Sequence, residues 1–319
     1  MSAASDFCHQ PVLLSQTIEY LAIRSDGIYI DCTLGGGGHS AAILAHLGPG
    51  GRLIALDRDA DALQAGGKLL ETVKSPAAWQ TAAGNFSDLD EILGKMDIKA
   101  VDGILADLGV SSWQIDQADR GFSYGQEGPL DMRMNRDSGP TAADIVNSRS
   151  EADLIRILRD YGEERYAGRI AAAIVDYRSH QPFRTTTELA DLVIRAMPGQ
   201  ARRENQHPAR RTFQAIRIEV NQELASLGQL LATGPHLLRN GGRMCVITFH
   251  SLEDRLVKEC FRSLENPCIC PRDFPVCTCG RKPLGKVLTR RAAVADPAEQ
   301  KNNPRSHSAR LRCFERRTD

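Results

Sequence analysis

Short apolar runs, each closed by an acid or a glycine, alternate with helix-like stretches through the first third of the chain. Strands are expected at Ile28-Tyr29-Ile30, over 53–56 and over 101–106, with helices near 40–47, 60–73 and 89–95. Uninterrupted apolar strands suit a sheet buried on both faces. The rhythm breaks after Trp113. A glycine-rich stretch over 121–139 gives way to apolar residues at helical spacing, as in Leu154, Ile155 and Leu158, then Leu189, Leu192 and Val193. The α/β pattern resumes with one long helix expected across 213–238, ended by Asn240-Gly241-Gly242, and a strand over 243–248. The pattern predicts a discontinuous α/β domain made of 1–112 and 213–319, with a mainly helical subdomain of 113–212 inserted into it.

The first strand runs into Asp31 and then into four consecutive glycines, Gly35 to Gly38. The second ends in another acid, Asp57. Strand, glycine turn, helix, strand, acid is how an open α/β sheet builds a nucleotide-type site: the glycines let backbone approach the ligand, and the second acid accepts ribose hydroxyls. The glycines lack the G-x-G-x-x-G spacing of a dinucleotide site. Gly38-His39-Ser40 stands where a triphosphate loop needs Gly-Lys-Ser/Thr. An acid ahead of the glycines suits a ligand carrying an ammonium group, and S-adenosylmethionine is such a ligand. A tight structural turn is the plain alternative.

With 319 residues, 42% of them apolar and 25% charged, the chain has the make-up of a globular protein with a substantial core. Its formal net charge is zero, so the molecule as a whole is not an electrostatic match for nucleic acid. From Arg281 onward, however, eleven Lys/Arg face four Asp/Glu. That tail either tracks a phosphate backbone or forms a solvated face. No apolar segment is long enough for a membrane span and no secretory leader is evident, so a cytoplasmic protein with no membrane partner is expected. The scattered cysteines among its nine fit a reducing compartment. Four others form a separate set: Cys268, Cys270, Cys277 and Cys279, a C-x-C pair repeated within a dozen residues, suit a structural zinc or another thiophilic metal. The one-residue gaps differ from those of typical zinc ribbons, and reduced thiols in an exposed loop are the alternative.

Longer motifs carry a resemblance. They are HQPVLL over 9–14, DCTLGGGGHS over 31–40, ALDRD over 55–59, DGILADLGVSS over 102–112, RGFS over 120–123 and GPLDMRM over 128–134. YGEER over 161–165, RTFQAIR over 211–217, FHSLEDR over 249–255 and NPR over 303–305 follow. In these the chain resembles the MraW family of small-subunit ribosomal RNA (cytosine-N4) methyltransferases almost end to end. The resemblance implies a Rossmann-like class I S-adenosylmethionine-dependent methyltransferase sheet, with the inserted subdomain recognising substrate. The implied reaction is methyl transfer to N4 of one cytidine in the decoding region of 16S rRNA, within the small ribosomal subunit. Carried over residue by residue, Gly37, Gly38, His39, Asp57, Phe86, Asp107 and Gln114 are the implied cofactor contacts.

Cytosine N4 is a poor nucleophile because its lone pair is delocalised into the ring. The site must orient that lone pair and accept a proton. Asp107 with Ser111 and Ser112, His250 at a later strand end, and Asp131 are the candidate groups. Asp107 serves either the cofactor's amino group or the reacting amine; Asp131 either accepts from N4 or pairs with Arg133. Trp113, Phe122 and Tyr124 are candidates for stacking a splayed base, or ordinary loop packing. Arg202, Arg203, Arg210 and Arg211 are candidates for phosphate contact. Two other classes compete: a non-catalytic ribosome-assembly factor, and an NAD-dependent oxidoreductase that the glycine spacing disfavours. Only the resemblance sets aside DNA or a small molecule as the methyl acceptor. Oligomeric state is not legible.

Overall fold

The computed structural model describes residues 11–200, 206–271, 276 and 278–317. It divides into two units, Met1–Gly109 with Leu224–Asp319, and Val110–Glu223.

The first unit opens with α1 (Leu14–Leu21), β1 (Ile28–Asp31), α2 (Gly38–Ala45), β2 (Arg52–Asp57), α3 (Ala60–Thr72), β3 (Ala78–Ala83), α4 (Leu89–Lys95) and β4 (Val101–Asp107). The chain then builds the second unit from α5 (Ser112–Asp116), α6 (Ala142–Ser148), α7 (Glu151–Gly162), α8 (Ala167–His180), α9 (Thr186–Ala196) and α10 (Arg210–Asn221). It returns through α11 (Glu223–Leu237), β5 (Leu238–Thr248), α12 (Ser251–Glu265), β6 (Gly285–Val287), α13 (Pro297–Asn302) and β7 (Arg310–Arg316).

The sheet has seven strands in the order β3-β2-β1-β4-β5-β7-β6. β1 to β5 are parallel, while β7 lies antiparallel between β5 and β6. This is the class I methyltransferase sheet expected from the sequence. Successive strand residues face opposite sides: Ile30, Ile54, Ile104 and Val246 join one core layer, and Tyr29, Leu53, Leu105 and Cys245 the other. That is why the strands read as unbroken apolar runs. The strand order reverses between β1 and β4, and a crevice at their carboxyl ends is the usual ligand position in such sheets. Asp31, Asp57 and Asp107 are the last residues of β1, β2 and β4.

The second unit has its own core, in which α7 contributes Leu154, Ile157 and Leu158, α8 Ile170 and Ile174, α9 Leu189 and Val193, and α10 Phe213 and Ile216. Its helices start where side chains cap them. Ser150 accepts from the Asp153 amide, and Thr185 forms a reciprocal box with Glu188.

The single helix expected across 213–238 is two. α10 stops at Asn221 because Gln222 takes a left-handed conformation (φ 51°). Asn221 is turned inward, accepting from the Met134 amide at 2.8 Å and donating to the Met132 carbonyl at 2.7 Å. These bonds hold α10 in the helical unit, whose boundary falls at Glu223 and not at 212. β5 also begins earlier than expected, at Leu238. Among the described residues, no helix is long and apolar enough to cross a membrane.

Candidate functional site

The rim of the first unit is built by acids at strand ends. Asp31 is fully buried and already engaged: its Oδ1 accepts from the Thr33 amide at 3.0 Å, and its Oδ2 from the Ser40 hydroxyl at 2.7 Å. It orders the turn rather than facing outward, so the ammonium partner anticipated at this acid is not Asp31 itself. Burial pushes its carboxyl up to about 7, despite the hydrogen bonds from Ser40 and Thr33 that favour the ionised form.

That elevation has a consequence for stability. The folded chain holds the Asp31 proton more tightly than the unfolded chain does. Stability from this group is therefore full below pH about 4 and lost as pH rises through about 7, by up to about 4 kcal/mol. Asp31→Asn keeps an acceptor for Thr33 and can donate to the Ser40 oxygen. Thermal unfolding of the ligand-free protein between pH 4 and 8 is expected to fall less steeply in this variant than in the wild type. An unchanged slope would show that Asp31 is ionised throughout that range.

After Asp31 the chain turns through Gly35 (φ 50°) and Gly37 (φ 83°) into α2. A side chain on Gly37 would also meet the Gly66 backbone of α3, with Cα at 3.0 Å. Left-handed geometry and close helix approach both require glycine there. The Gly35 amide donates to Asp57 Oδ2 at 2.8 Å, and the Asp59 amide to Oδ1 at 2.9 Å. Each Asp57 oxygen thus makes one backbone bond and keeps a further lone pair. Burial raises its carboxyl overall, against the pull of those two amides. Phe86 follows β3 in a single helical turn, which Asn85 caps by accepting from the Ser87 amide. Asn85 is itself anchored by donating to Ser226 Oγ at 3.0 Å.

Asp107 is partly open to solvent, with 25% of its side chain accessible. Its amide donates to Thr33 Oγ1 at 2.7 Å. Its Oδ2 lies 3.5 Å from His39 Nδ1, and His39 is fixed on the other side by a 3.0 Å contact between Nε2 and the Val12 carbonyl. Its Oδ1 is buried and has no hydrogen-bond partner among the described residues. Burial, then the charges of Asp31 and Glu253, push this carboxyl well above its ordinary value. Water at the exposed part offsets some of that push.

His250 heads α12, with Nε2 3.1 Å from Glu253 Oε1, and Glu253 Oε2 accepts from the Phe249 amide at 2.9 Å. Glu253, Thr33 and Ser40 were not among the residues singled out from sequence. All three lie inside the quoted motifs, which is the signal that could have found them. Asp57 and Asp107 reach the surface while Asp31 and Glu253 are buried, an acidic grouping suited to a ligand that brings positive charge.

Ser111, Ser112, Gln114 and Asp131 belong to the second unit. Ser112 is the first residue of α5. Ser111 caps α5 by accepting from the Gln114 amide, and Gln114 returns the bond to the Ser111 amide at 3.0 Å. Asp131 pairs with Arg133 through bonds of 2.9 and 2.8 Å. Burial raises its carboxyl, but Arg133 outweighs it and holds the group below the usual carboxylate value.

The three aromatic candidates have intramolecular partners. The buried Arg120 guanidinium sits 5.4 Å from the Trp113 ring and 5.9 Å from the Phe122 ring, while Tyr124 stacks on His207 at 4.4 Å. Arg202, Arg203 and Cys277 lie outside the described residues. Cys268, Cys270 and Cys279 bring their sulfurs within 4.8 Å of one another. Part of the C-terminal positive charge is committed to the fold: Arg312 binds Asp254 at 2.6 and 3.0 Å, and Arg310 reaches the same carboxylate at 3.3 Å.

The profile of the MraW methylase family matches residues 6–317. A protein named ribosomal RNA small subunit methyltransferase H from Carboxydothermus hydrogenoformans is 51% identical, over 98% of each chain. Proteins of the same name are 49% identical in Ruminiclostridium cellulolyticum, over 98% of this chain and 99% of that one, and 51% identical in Symbiobacterium thermophilum, over 96% of each.

Proposed function

The chain belongs to the MraW methylase family, and we propose that it transfers a methyl group from S-adenosylmethionine to the exocyclic N4 of a cytidine in the decoding region of 16S rRNA. The name of its relatives supports ribosomal RNA of the small subunit as the substrate. The observation that carries the chemistry is the buried Oδ1 of Asp107, without a hydrogen-bond partner among the described residues, in an acidic grouping with Asp31, Asp57 and Glu253.

The residues present fit this cofactor. Asp57 keeps lone pairs for ribose hydroxyls, the turn through Gly37 and Gly38 admits close backbone approach, and Phe86 offers an apolar wall for adenine. His39 holds the position of Asp107, and Gln114 is a further cofactor contact that the family resemblance implies. When bound, the cofactor supplies a methyl group on a positively charged sulfur.

Asp107 is assigned the proton. Its Oδ1 accepts from the cytidine amine, directing the nitrogen lone pair toward the methyl group, and takes the proton as the N–C bond forms. A carboxyl held above its ordinary value by burial is a stronger proton acceptor than an ordinary aspartate. His250 is assigned to shaping the target site, and Ser111, Ser112 and Asp131, in the second unit, are candidates for substrate contact. Arg210 and Arg211 are assigned to backbone phosphates.

The reading is tested with labelled S-adenosylmethionine and ribosomal subunits from cells lacking the enzyme. Label is expected in RNA of the small subunit and not of the large one. Cofactor binding without transfer to either would favour an assembly factor that keeps the fold as a platform.

A further inference from the structure

The segment 266–284 joins α12 to β6 and has no helix or strand among its described residues, none of which is buried. Its ends are pinned together: the Leu284 amide donates to the Leu264 carbonyl at 2.9 Å, and the Val287 amide to Glu265 Oε1 at 3.0 Å. Between them Ile269 and Val276 point outward, at 65% and 71% exposure. Leu284 at its end packs on the core, but these two apolar side chains do not hold the stretch. Long connections without internal structure are uncommon in compact domains unless something else orders them.

What converges instead is sulfur. The Sγ atoms of Cys268, Cys270 and Cys279, from opposite ends of the loop, all lie within 4.8 Å of one another. Tetrahedral zinc–thiolate geometry places sulfurs about 3.8 Å apart, so adjustments of about an ångström close the set on one ion. Solvent-facing thiols gain little from meeting each other without a bond. A disulfide would join only two of them, whereas three converge. The Thr278 amide donates to Cys270 Sγ at 3.4 Å, the kind of outer hydrogen bond that orients a thiolate ligand. Gly280, with φ 65°, turns the chain directly after Cys279.

We propose that Cys268, Cys270 and Cys279 bind one zinc ion, which folds the 266–284 loop in place of a hydrophobic core. Cys277, the remaining thiol of the motif, lies outside the described residues. The site is structural, and the ion takes no part in methyl transfer.

The test is elemental analysis of the full chain, purified without chelators from zinc-supplemented cells. About one equivalent of zinc per chain is expected. Cys268→Ser/Cys279→Ser is expected to fall below about a tenth of an equivalent, while Cys260→Ser, outside the cluster, keeps its zinc. Cobalt exchange into the wild type supplies a second readout that does not depend on a variant folding. Thiolate-to-cobalt charge transfer with tetrahedral d–d bands is expected, together with faster tryptic cleavage after Arg281 once the metal is chelated. Wild-type protein with under about a tenth of an equivalent of zinc and no cobalt spectrum would overturn the proposal. So would a double variant that retains its zinc, or a disulfide between any two of these cysteines.

Discussion

Asp107→Asn is expected to lower kcat/KM for methyl transfer by about 10³-fold, within the range usual for loss of a general base. The amide keeps the size of the side chain but cannot take a proton at neutral pH. The Asp107 amide bond to Thr33 Oγ1 is untouched. Removing a carboxyl held well above its ordinary value also relieves an unfavourable ionisation in the apo protein. The variant should therefore unfold at the wild-type temperature or above, and the loss should fall mainly on kcat. Steady-state kinetics with small subunits, alongside thermal unfolding, check both parts. A loss confined to the cofactor's dissociation constant would instead assign Asp107 to the cofactor's ammonium group.

Asp57→Asn should show the opposite split. Asp57 accepts one backbone amide on each oxygen. The variant can accept at only one, leaving fewer acceptors for ribose hydroxyls. Loss of a charged hydrogen bond of this kind is worth about 2 kcal/mol, which corresponds to an affinity about 30-fold weaker. Within the fold, the stranded backbone amide costs about 1 kcal/mol, and relief of a buried charge offsets it. Calorimetric titration with S-adenosylmethionine should show the weakened binding with little change in unfolding temperature. Equal affinity would remove Asp57 from the cofactor site.

β1, α2, β2, α3, α4 and β4 are legible because two-sided burial makes strands such as Leu53 to Leu56 continuous apolar runs, and because the Gly35–Gly38 turn punctuates them. β3 escaped notice: its residues, from Ala78 to Ala83, are mostly half-exposed at a sheet edge and small or polar, so no apolar run marks them. β7 was hidden by charge. Its arginines read as a basic tail, although Leu311 and Cys313 alternate with Arg310 and Arg312 in the period of a strand. The break at Gln222 had no signal, because both flanking segments are good helix and only a left-handed residue with the inward Asn221 separates them. At the site, motif residues located the acids but not their roles. That Asp31 is satisfied internally while Asp107 keeps an oxygen unpaired among the described residues depends on where Thr33 and Ser40 hydroxyls point, and spacing along the chain does not specify that.

The central claim is that Asp107 serves methyl transfer to a cytidine amine, and nucleoside analysis of small-subunit RNA after reaction tests it most directly. Wild-type enzyme with S-adenosylmethionine should produce N4-methylated cytidine at one position in the decoding region, and Asp107→Asn should produce almost none. A methyl group found on another base, on a ribose, or undiminished in Asp107→Asn would contradict the account.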